Sequence, residues 1–273
     1  RSSDGRRFIV GADQSFGNNC GECPGYAEVY QVDESYSSAT QIGDRLLGKL
    51  NGDGFGFQVG STATLIASTK LKDMAIERPV KEIDNLKIYR KVQDEHNYVI
   101  VADVSKGREQ DFSVFSVIDV SMKPFKVVAV FRDNTIQPII YARVIHNTAL
   151  KYNKAYILVE ENNIGSQVTD VLSQDLEYEN MFTTVKRDMK TTLSSGFHKN
   201  AKMGITTTAR VKRIGCSNLK MLIEKEQLLV TDSDTIGEFL TFSVDAKSGS
   251  YKAENGKHDD CIMTLVLFSW MVD

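Results

Sequence analysis

Four strand-like segments fill the middle of the chain and decide what kind of sheet it can build. Residues 98–104 (YVIVADV) form a continuous run that is rich in β-branched residues, and residues 112–120 (FSVFSVIDV) alternate in character. A third run, KVVAVF, covers residues 126–131, and a fourth, AYILVE, covers residues 155–160. Short apolar runs of this kind are typical of buried strands. The pattern therefore predicts a sheet with little solvent access.

Helical periodicity begins after the third of these segments. Pro138 opens a helical stretch that runs to Lys151, and proline suits the first turn of a helix. Further helices are predicted over 164–176, 208–224, 235–242 and 259–272, short strands near 181–185 and 228–230, and a loop or hairpin over 191–204. Three consecutive strands followed by alternating helices and strands predict an α/β or α+β sheet with helices on its faces.

The first third of the chain has a different character. Residues 1–90 are rich in Gly, Ser, Asn and Asp and show weak periodicity, so we expect an irregular N-terminal segment and linker before a domain over 91–273. Gly43 to Lys49 (GDRLLGK) has the spacing of a phosphate-binding P-loop. Leu50 follows where Ser or Thr should ligate Mg²⁺, and no clear strand precedes the motif, so we interpret it as a chance match.

The cysteines and the apolar runs indicate an ordinary intracellular globular protein. Four cysteines are spread along the chain, which fits a reducing cytoplasm better than a disulfide framework. Cys20 and Cys23 form a lone CxxC without a second ligand pair nearby, so we interpret them as loop residues. The longest apolar stretch, Cys261 to Val272, is shorter than the ~18 residues that a membrane span needs, and we expect a core helix there.

Basic residues concentrate in one part of a chain whose net charge is −3. The distribution of charge bears on nucleic-acid binding more than the total does. A local basic surface beside an acidic pocket would suit a nuclease, whereas the alternative is an ordinary solvated face. The candidate DNA-binding residues are Lys186, Arg187, Lys190, Lys199, Lys202, Arg210, Lys212 and Arg213.

Carboxylates stand at three places where strands end or a helix begins. Asp103 and Glu160 close two apolar strand segments, and Asp259 and Asp260 open the last predicted helix. Carboxylates at strand ends face the crevice where open sheets bind ligands, and a buried carboxylate is unfavourable unless it is paired or bound to a metal. Mg²⁺ prefers such oxygen ligands. Singly, each acid has an alternative interpretation as a turn residue or a helix cap.

Several of these segments together resemble one family of viral proteins. YVIVADVSKGREQDFSVFSVIDV resembles the first nuclease motif of the large terminase subunits of contractile-tailed bacteriophages. ILVEENNIG resembles their second motif, and AENGKHDDCIMTLVLFSW resembles the third motif and the last helix. The resemblance is continuous from about Phe57 to Trp270. It implies an RNase H-like mixed sheet flanked by helices and a metal-dependent DNA endonuclease.

The resemblance also assigns roles to individual residues. Asp103, Glu160 and Asp260 match the catalytic, metal-binding acids of the family, with Asp259 as a supporting acid and Asp111 near a second metal or its waters. Two Mg²⁺ (or Mn²⁺) ions about 3.5–4 Å apart would activate a water and stabilise the leaving oxygen of a phosphodiester. The basic residues would hold backbone phosphates without reading sequence.

A few further residues follow from the same comparison. Gly107 and Gly165 match glycines after the first two acids, where a sharp turn can approach a phosphate. His258, beside the acid pair, could assist proton transfer, although a solvent-exposed residue at a helix start is the interpretation we favour. His198 is expected at the surface.

The family implies a biological setting and leaves two alternatives. Its members cut concatemeric viral DNA with little sequence preference in the infected host's cytoplasm, with a portal protein and a small terminase subunit as partners and no membrane. We find no competent ATPase motor here, and the residues before about 55 do not match the family, so they are expected to be a remnant or atypical region joining to a motor domain. The alternatives are a resolvase- or integrase-type phosphoryl-transfer enzyme and a non-catalytic RNase H-like scaffold that binds DNA or the portal.

Overall fold

The computed structural model divides the chain into two compact units, Arg1–Thr62 and Ala63–Asp273. It describes residues 64–105, 111–161, 164–187, 190–194, 201–245 and 249–272, together with the backbone of four strands in the smaller unit. In the described residues, no helix is both long enough and apolar enough to span a bilayer.

The smaller unit contains an antiparallel sheet. Its strands are β1 (Arg7–Ala12), β2 (Tyr26–Val32), β3 (Ala39–Gln41) and β4 (Leu46–Leu47). Strand β2 pairs with each of the other three. These strands were not predicted, because short segments among polar and glycine residues give little periodic signal. Cys20, Cys23 and both ends of the P-loop-like motif lie outside the described residues.

The larger unit alternates strands and helices. It begins with α1 (Ser68–Asp73), β5 (Lys81–Ile83), β6 (Leu86–Ile88), β7 (Tyr98–Asp103), β8 (Ser113–Asp119), β9 (Phe125–Asp133), α2 (Pro138–Lys151), β10 (Tyr156–Val159) and α3 (Gly165–Asp170), which continues into a π-helical turn, Val171–Asp175. It ends with β11 (Thr183–Arg187), β12 (Lys190–Leu193), β13 (Lys202–Met203), α4 (Ala209–Glu224), β14 (Leu228–Leu229), α5 (Ser233–Phe239), β15 (Phe242–Val244), β16 (Tyr251–Ala253) and α6 (Asp260–Met271).

A seven-stranded mixed sheet forms the centre of this unit. The order is β10-β7-β8-β9-β6-β5, with β14 beside β9. Strand β10 runs parallel to β7 and β14 runs parallel to β9, whereas the other pairs are antiparallel. The predicted mixed α/β sheet is therefore confirmed. Because β6 pairs with β9, residues 81–88 belong to this sheet, and the division between units falls before the boundary predicted near residue 90.

Both faces of the sheet are covered, which explains the apolar strand sequences. Alternate residues of β7 point to opposite sides. Val99 and Val101 pack into a core with α4, α5 and α6, whereas Ile100 and Ala102 pack into a core with α2 and α3. At Gly215 of α4, an added Cβ would lie 2.3 Å from the carbonyl oxygen of Val266 in α6, so only glycine permits this close packing of the two helices.

Most of the helix predictions agree with the structure, and one is displaced. Helix α2 has the predicted bounds, and α6 differs from its prediction by one residue at each end. Helix α5 begins at Ser233 rather than Thr235, because the Asp232 side chain caps it by accepting the Thr235 N–H at 2.7 Å. Strands β11 and β12 pair as a hairpin. Cys216 and Cys261 are buried and free.

Candidate active site

The parallel pairing of β7 and β10 brings two acids to the same edge of the sheet. Ala102 is the register partner of Val159, so Asp103 and Glu160 follow side by side at the ends of their strands. The Glu160 N–H donates to the Ala102 carbonyl at 2.8 Å. The side chains of Asp103 and Glu160 also share a hydrogen bond. Two residues far apart in sequence thus meet because their strands are neighbours.

Burial and neighbouring charge both act on Asp103. Burial raises the pKa of its carboxyl well above the usual range, and the Glu160 carboxyl and then Asp260 and Asp259 raise it further. A hydrogen bond between two carboxyl groups requires a proton on one of them. Asp103 is therefore set to hold a proton where an isolated aspartate would be ionised.

The backbone around these two strand ends is held by close contacts. The Tyr141 hydroxyl of α2 donates to the Asp103 carbonyl at 3.1 Å. Next to Glu160, Gly204 has a φ of +73°, and a Cβ there would lie 2.3 Å from the Val159 carbonyl oxygen. Glycine at 204 thus lets the segment after β13 pass directly over the end of β10. The sequence pattern singled out neither Tyr141 nor Gly204.

Asp259 and Asp260 stand at the start of α6. Asp259 precedes the helix but makes no side-chain capping hydrogen bond to it. Burial raises the pKa of Asp260 to about 6, the backbone N–H of Phe112 lowers it, and the charge of Asp259 raises it. Asp260 Oδ2 is buried and has no hydrogen-bond partner within the described residues, although His258 Nδ1 lies 3.5 Å away. The Asp260 carboxylate therefore has an unsatisfied acceptor directed into the protein.

We call Asp103, Glu160, Asp259 and Asp260 the acid cluster. Its donors are all carboxylate oxygens, the ligands that Mg²⁺ and Mn²⁺ prefer. The buried, unbonded Asp260 Oδ2 and the raised pKa values of Asp103 and Asp260 both fit a cation bound among these groups. Among the residues that the structure describes, no three His, Cys, Asp or Glu side chains are arranged as a site for a metal ion. The exposed Asp111 lies at the periphery, where its charge raises the pKa of Asp260.

A second layer of contacts beneath the acid cluster went unpredicted. Glu238 of α5 is buried, and its Oε2 accepts the Ile262 N–H of α6 at 3.1 Å. Burial raises the pKa of Glu238 to about 7. Arg132 Nη2 lies 3.8 Å from Glu238 Oε1, and the Arg132 guanidinium carbon lies 3.5 Å from the centre of the Phe112 ring. No local sequence signal marks these residues, because only the packing of α5, α6 and β9 brings them together.

Part of the predicted basic set lines one groove, which we call the basic groove. Its volume is about 810 Å³, and it lies between the β11–β12 hairpin, the start of α4 and β16. The basic residues that line it are Lys186, Arg210, Lys212 and Arg213. Lys212 links the groove to the acid cluster, because its Nζ lies 3.6 Å from Asp259 Oδ2.

The remaining predicted residues are placed as follows. Lys202 lines an adjoining cavity of about 330 Å³ with Lys186, and its Nζ lies 3.8 Å from Glu161 Oε2. Lys190 is exposed on β12 and, among the described residues, lines neither cavity. Gly165 is the first residue of α3 and is buried. Gly107, His198, Lys199 and the side chain of Arg187 lie outside the described residues.

Comparison with known proteins identifies one family over most of the larger unit. The sequence profile of the Terminase RNaseH-like domain matches residues 100–270. The large terminase nuclease from thermophilic phage G20c with bound magnesium is 23% identical, with a TM-score of 0.57 over 74% of this chain and 94% of that one. The same nuclease with bound cobalt is 22% identical, with a TM-score of 0.56 over the same shares of the two chains. The Thermus phage P74-26 large terminase nuclease domain is 23% identical, with a TM-score of 0.53 over 73% of this chain and 91% of that one.

Proposed function

This chain belongs to the Terminase RNaseH-like domain family, and on that basis we propose that it is a metal-dependent endonuclease that cuts double-stranded viral DNA during packaging. The observation that carries the proposal is the acid cluster at the edge of the sheet, joined through Lys212 to the basic groove. A metal-dependent nuclease needs carboxylates that bind the cation and, beside them, a basic surface that binds the anionic substrate. The RNase H-like fold supports the same conclusion.

Asp103, Glu160 and Asp260 would hold the metal, with Asp259 beside them and Asp111 toward the second ion or its waters. Two Mg²⁺ or Mn²⁺ ions, when bound, would supply a water of lowered pKa and neutralise charge on the leaving oxygen. The crystal structures of the G20c nuclease with magnesium and with cobalt support a divalent cation in this chain. To bind a metal, Asp103 would have to release the proton that its raised pKa retains in the free protein.

The basic groove would hold the DNA. Lys186, Arg210 and Arg213 would contact backbone phosphates, which positions the duplex without reading its bases. Lys190, Arg187, Lys199 and Lys202 would extend this contact along the β11–β12 hairpin and the segment that follows it. Lys212, between Asp259 and the groove, would lie nearest to the phosphate that is cut. Binding of this kind depends steeply on salt concentration.

The finer setting is also part of the proposal. We place the chain with the large terminase subunits of contractile-tailed phages, on the motifs around Asp103, Glu160 and Asp260. It would act on concatemeric DNA with little sequence preference in the cytoplasm of the infected bacterium. Its partners in the intact packaging machine would be the portal protein and the small terminase subunit. The division into an N-terminal segment and a nuclease domain belongs to the same proposal.

The test is cleavage of supercoiled plasmid by the purified chain with Mg²⁺, with Mn²⁺ and with EDTA. We expect nicking and linearisation that require the metal and disappear in Asp103→Asn. Asp119→Asn is the matched control, because Asp119 lies at the opposite end of the β7–β8 pair, bonded to His96, and this variant should cut normally. Cleavage that survives in Asp103→Asn would refute the metal assignment. A folded chain that binds plasmid but cuts with neither metal would favour the scaffold alternative.

A further inference from the structure

Glu238 is a buried carboxylate outside the acid cluster that contacts the start of α6. Its Oε2 accepts the Ile262 N–H at 3.1 Å, and the Cys261 thiol donates to the same carboxylate. These two residues directly follow Asp260 in the chain. A bond to the first turn of a helix fixes where its first residues point, because their N–H groups have no partner within the helix. Glu238 therefore restrains the backbone that carries Asp260.

Arg132, at the end of β9, faces the other oxygen of Glu238. Its Nη2 lies 3.8 Å from Glu238 Oε1, and the two side chains are 24% and 7% exposed. Within the described residues, Arg132 Nε and Glu238 Oε1 are buried atoms without a hydrogen-bond partner. A buried charge is tolerated when it has an opposite charge beside it, so each of these groups depends on the other.

Arg132 also reaches Asp260 by a second route. Its guanidinium lies over the Phe112 ring, 3.5 Å from Cζ to the ring centre. The Phe112 N–H donates to the Asp260 carboxyl, and the Phe112 ring meets the His258 ring edge-on at 5.0 Å. The pair thus reaches Asp260 indirectly from two sides, because Glu238 bonds the start of α6 and Arg132 packs on Phe112, whose N–H donates to Asp260.

We propose that Glu238 and Arg132 are positioning residues that hold Asp260 in the orientation needed to bind a divalent cation. This inference rests on the proposed metal site and adds a supporting layer to it. In this role neither residue would touch the ion or the DNA. Partners of metal ligands fix ligand orientation, and their loss commonly weakens metal binding about 10–100-fold.

Glu238→Gln is the sharpest test of the first route. A carboxylate offers an acceptor oxygen to Ile262 and another to Arg132, whereas a glutamine amide has only one oxygen and must give up one of these contacts. Asp232→Asn is the matched control, because Asp232 is a fully buried carboxylate at the N-cap of the same helix and bonds Thr235 and Tyr89 instead of α6. Mn²⁺ affinity is measured by calorimetry on the intact chain without DNA. We expect Glu238→Gln to bind Mn²⁺ at least about tenfold more weakly, and Asp232→Asn to bind it as the unaltered chain does.

Arg132→Met and Arg132→Lys test the second route. Methionine removes the charge and leaves Glu238 unpaired, whereas lysine keeps a charge but lacks the planar group that stacks on Phe112. Lysine should therefore restore part of the Mn²⁺ affinity that methionine loses. A purely structural role would lower the unfolding temperature of all four variants without separating their Mn²⁺ affinities.

Three results would overturn the inference. The first is equal Mn²⁺ affinity in Glu238→Gln and the unaltered chain, and the second is an equal loss of affinity in Asp232→Asn. The third is an unaltered chain that binds no Mn²⁺. Failure of the nuclease proposal alone gives a different result. In that case the unaltered chain cuts no plasmid, but it binds Mn²⁺, and Glu238→Gln still binds Mn²⁺ more weakly than Asp232→Asn. Plasmid cleavage with normal Mn²⁺ binding in Glu238→Gln would remove this inference and leave the nuclease proposal intact.

Discussion

Replacement of Asp260 by asparagine should make the metal-free protein more stable at neutral pH while it removes cleavage. The carboxylate of Asp260 is buried beside other acids, and its side chain is only 13% exposed. Its pKa rises from 3.8 to about 6, chiefly through burial. At about 1.4 kcal/mol for each tenfold change in the protonation equilibrium, the ionised group destabilises the fold by about 3 kcal/mol at pH 7 or above.

Other effects reduce this figure. An acid in the first turn of a helix is stabilised by about 0.3–1 kcal/mol, and asparagine loses that gain. Its amide oxygen can still accept the Phe112 N–H, and its NH₂ group can donate to a neighbouring carboxylate. A net gain of about 2 kcal/mol remains, which corresponds to a rise in unfolding temperature of about 4–8 °C for a unit of this size.

The pH dependence fixes the sign of the effect. A carboxyl whose pKa is raised by folding stabilises the folded state while it is protonated, and this stabilisation is lost as pH rises from about 4 through about 6. The advantage of Asp260→Asn should therefore be small at pH 4 and full at pH 7.5. Urea unfolding in EDTA at pH 4, 6 and 7.5 measures the difference in unfolding free energy directly.

Asp119→Asn supplies a control of opposite sign, because its side chain is also 13% exposed but its pKa is lowered. Burial raises the pKa of Asp119, yet the hydrogen bonds from His96 and Ser121 outweigh burial. This variant should lose stability at pH 7.5. A gain for Asp260→Asn that is the same at all three pH values, or a loss at pH 7.5, would refute the electrostatic reasoning.

Three further predictions follow from other parts of the larger unit. Mn²⁺ binding near pH 6.5 should release protons, because the raised pKa of Asp103 keeps this carboxyl protonated in the free protein. Calorimetry in two buffers of different ionisation enthalpy measures the release, and identical heats would contradict it. Gly215→Ala should lower the free energy of unfolding in urea by about 1–3 kcal/mol, because the added Cβ overlaps the Val266 carbonyl. The control Gly237→Ala, whose Cβ would meet no atom within 4 Å, should leave that free energy unchanged or raise it by up to about 1 kcal/mol. Equal effects would show that α4 and α6 can separate freely. The double variant Arg210→Ala and Arg213→Ala should reduce the slope of log affinity against log salt concentration for duplex DNA by about 1.8. Fluorescence anisotropy in EDTA measures this slope, with Lys81→Ala on β5 as the control. An unchanged slope, or the same reduction in the control, would exclude the basic groove as the phosphate contact.

The elements that could be predicted are those long enough for their own sequence to show a regular strand or helix pattern. Strands β7 and β8 and helix α2 are long enough to show a continuous, alternating or helical pattern, and they occur where that pattern predicts. The hairpin of β5 and β6 is three residues long on each side, and its position at the sheet is decided by pairing with β9 rather than by its own sequence. Helix α5 begins early because Asp232 caps it, and that capping also depends on a bond from Tyr89.

The acid cluster was accessible to sequence reasoning for a related reason. Asp103 and Glu160 interrupt apolar strands, so their positions are conspicuous, and the motifs around them carry the family resemblance. Glu238 is a single acid in a short helix, and an isolated glutamate of this kind is ordinarily a surface residue. Its burial and its contact with Arg132 arise only when α5, α6 and β9 pack together. Such tertiary contacts leave no local trace that periodicity can detect.

The parallel neighbours β7 and β10 also affect the order of events during folding. β8, β9 and α2 lie between them in the chain, and this long connection must close before Glu160 can reach Asp103. Parallel pairing over so long a connection is slow, because loop-closure entropy is lost before the contact stabilises anything. A partly folded chain therefore has its acids apart and cannot bind a metal between them. Under the proposed function, cleavage would begin only when this sheet is complete.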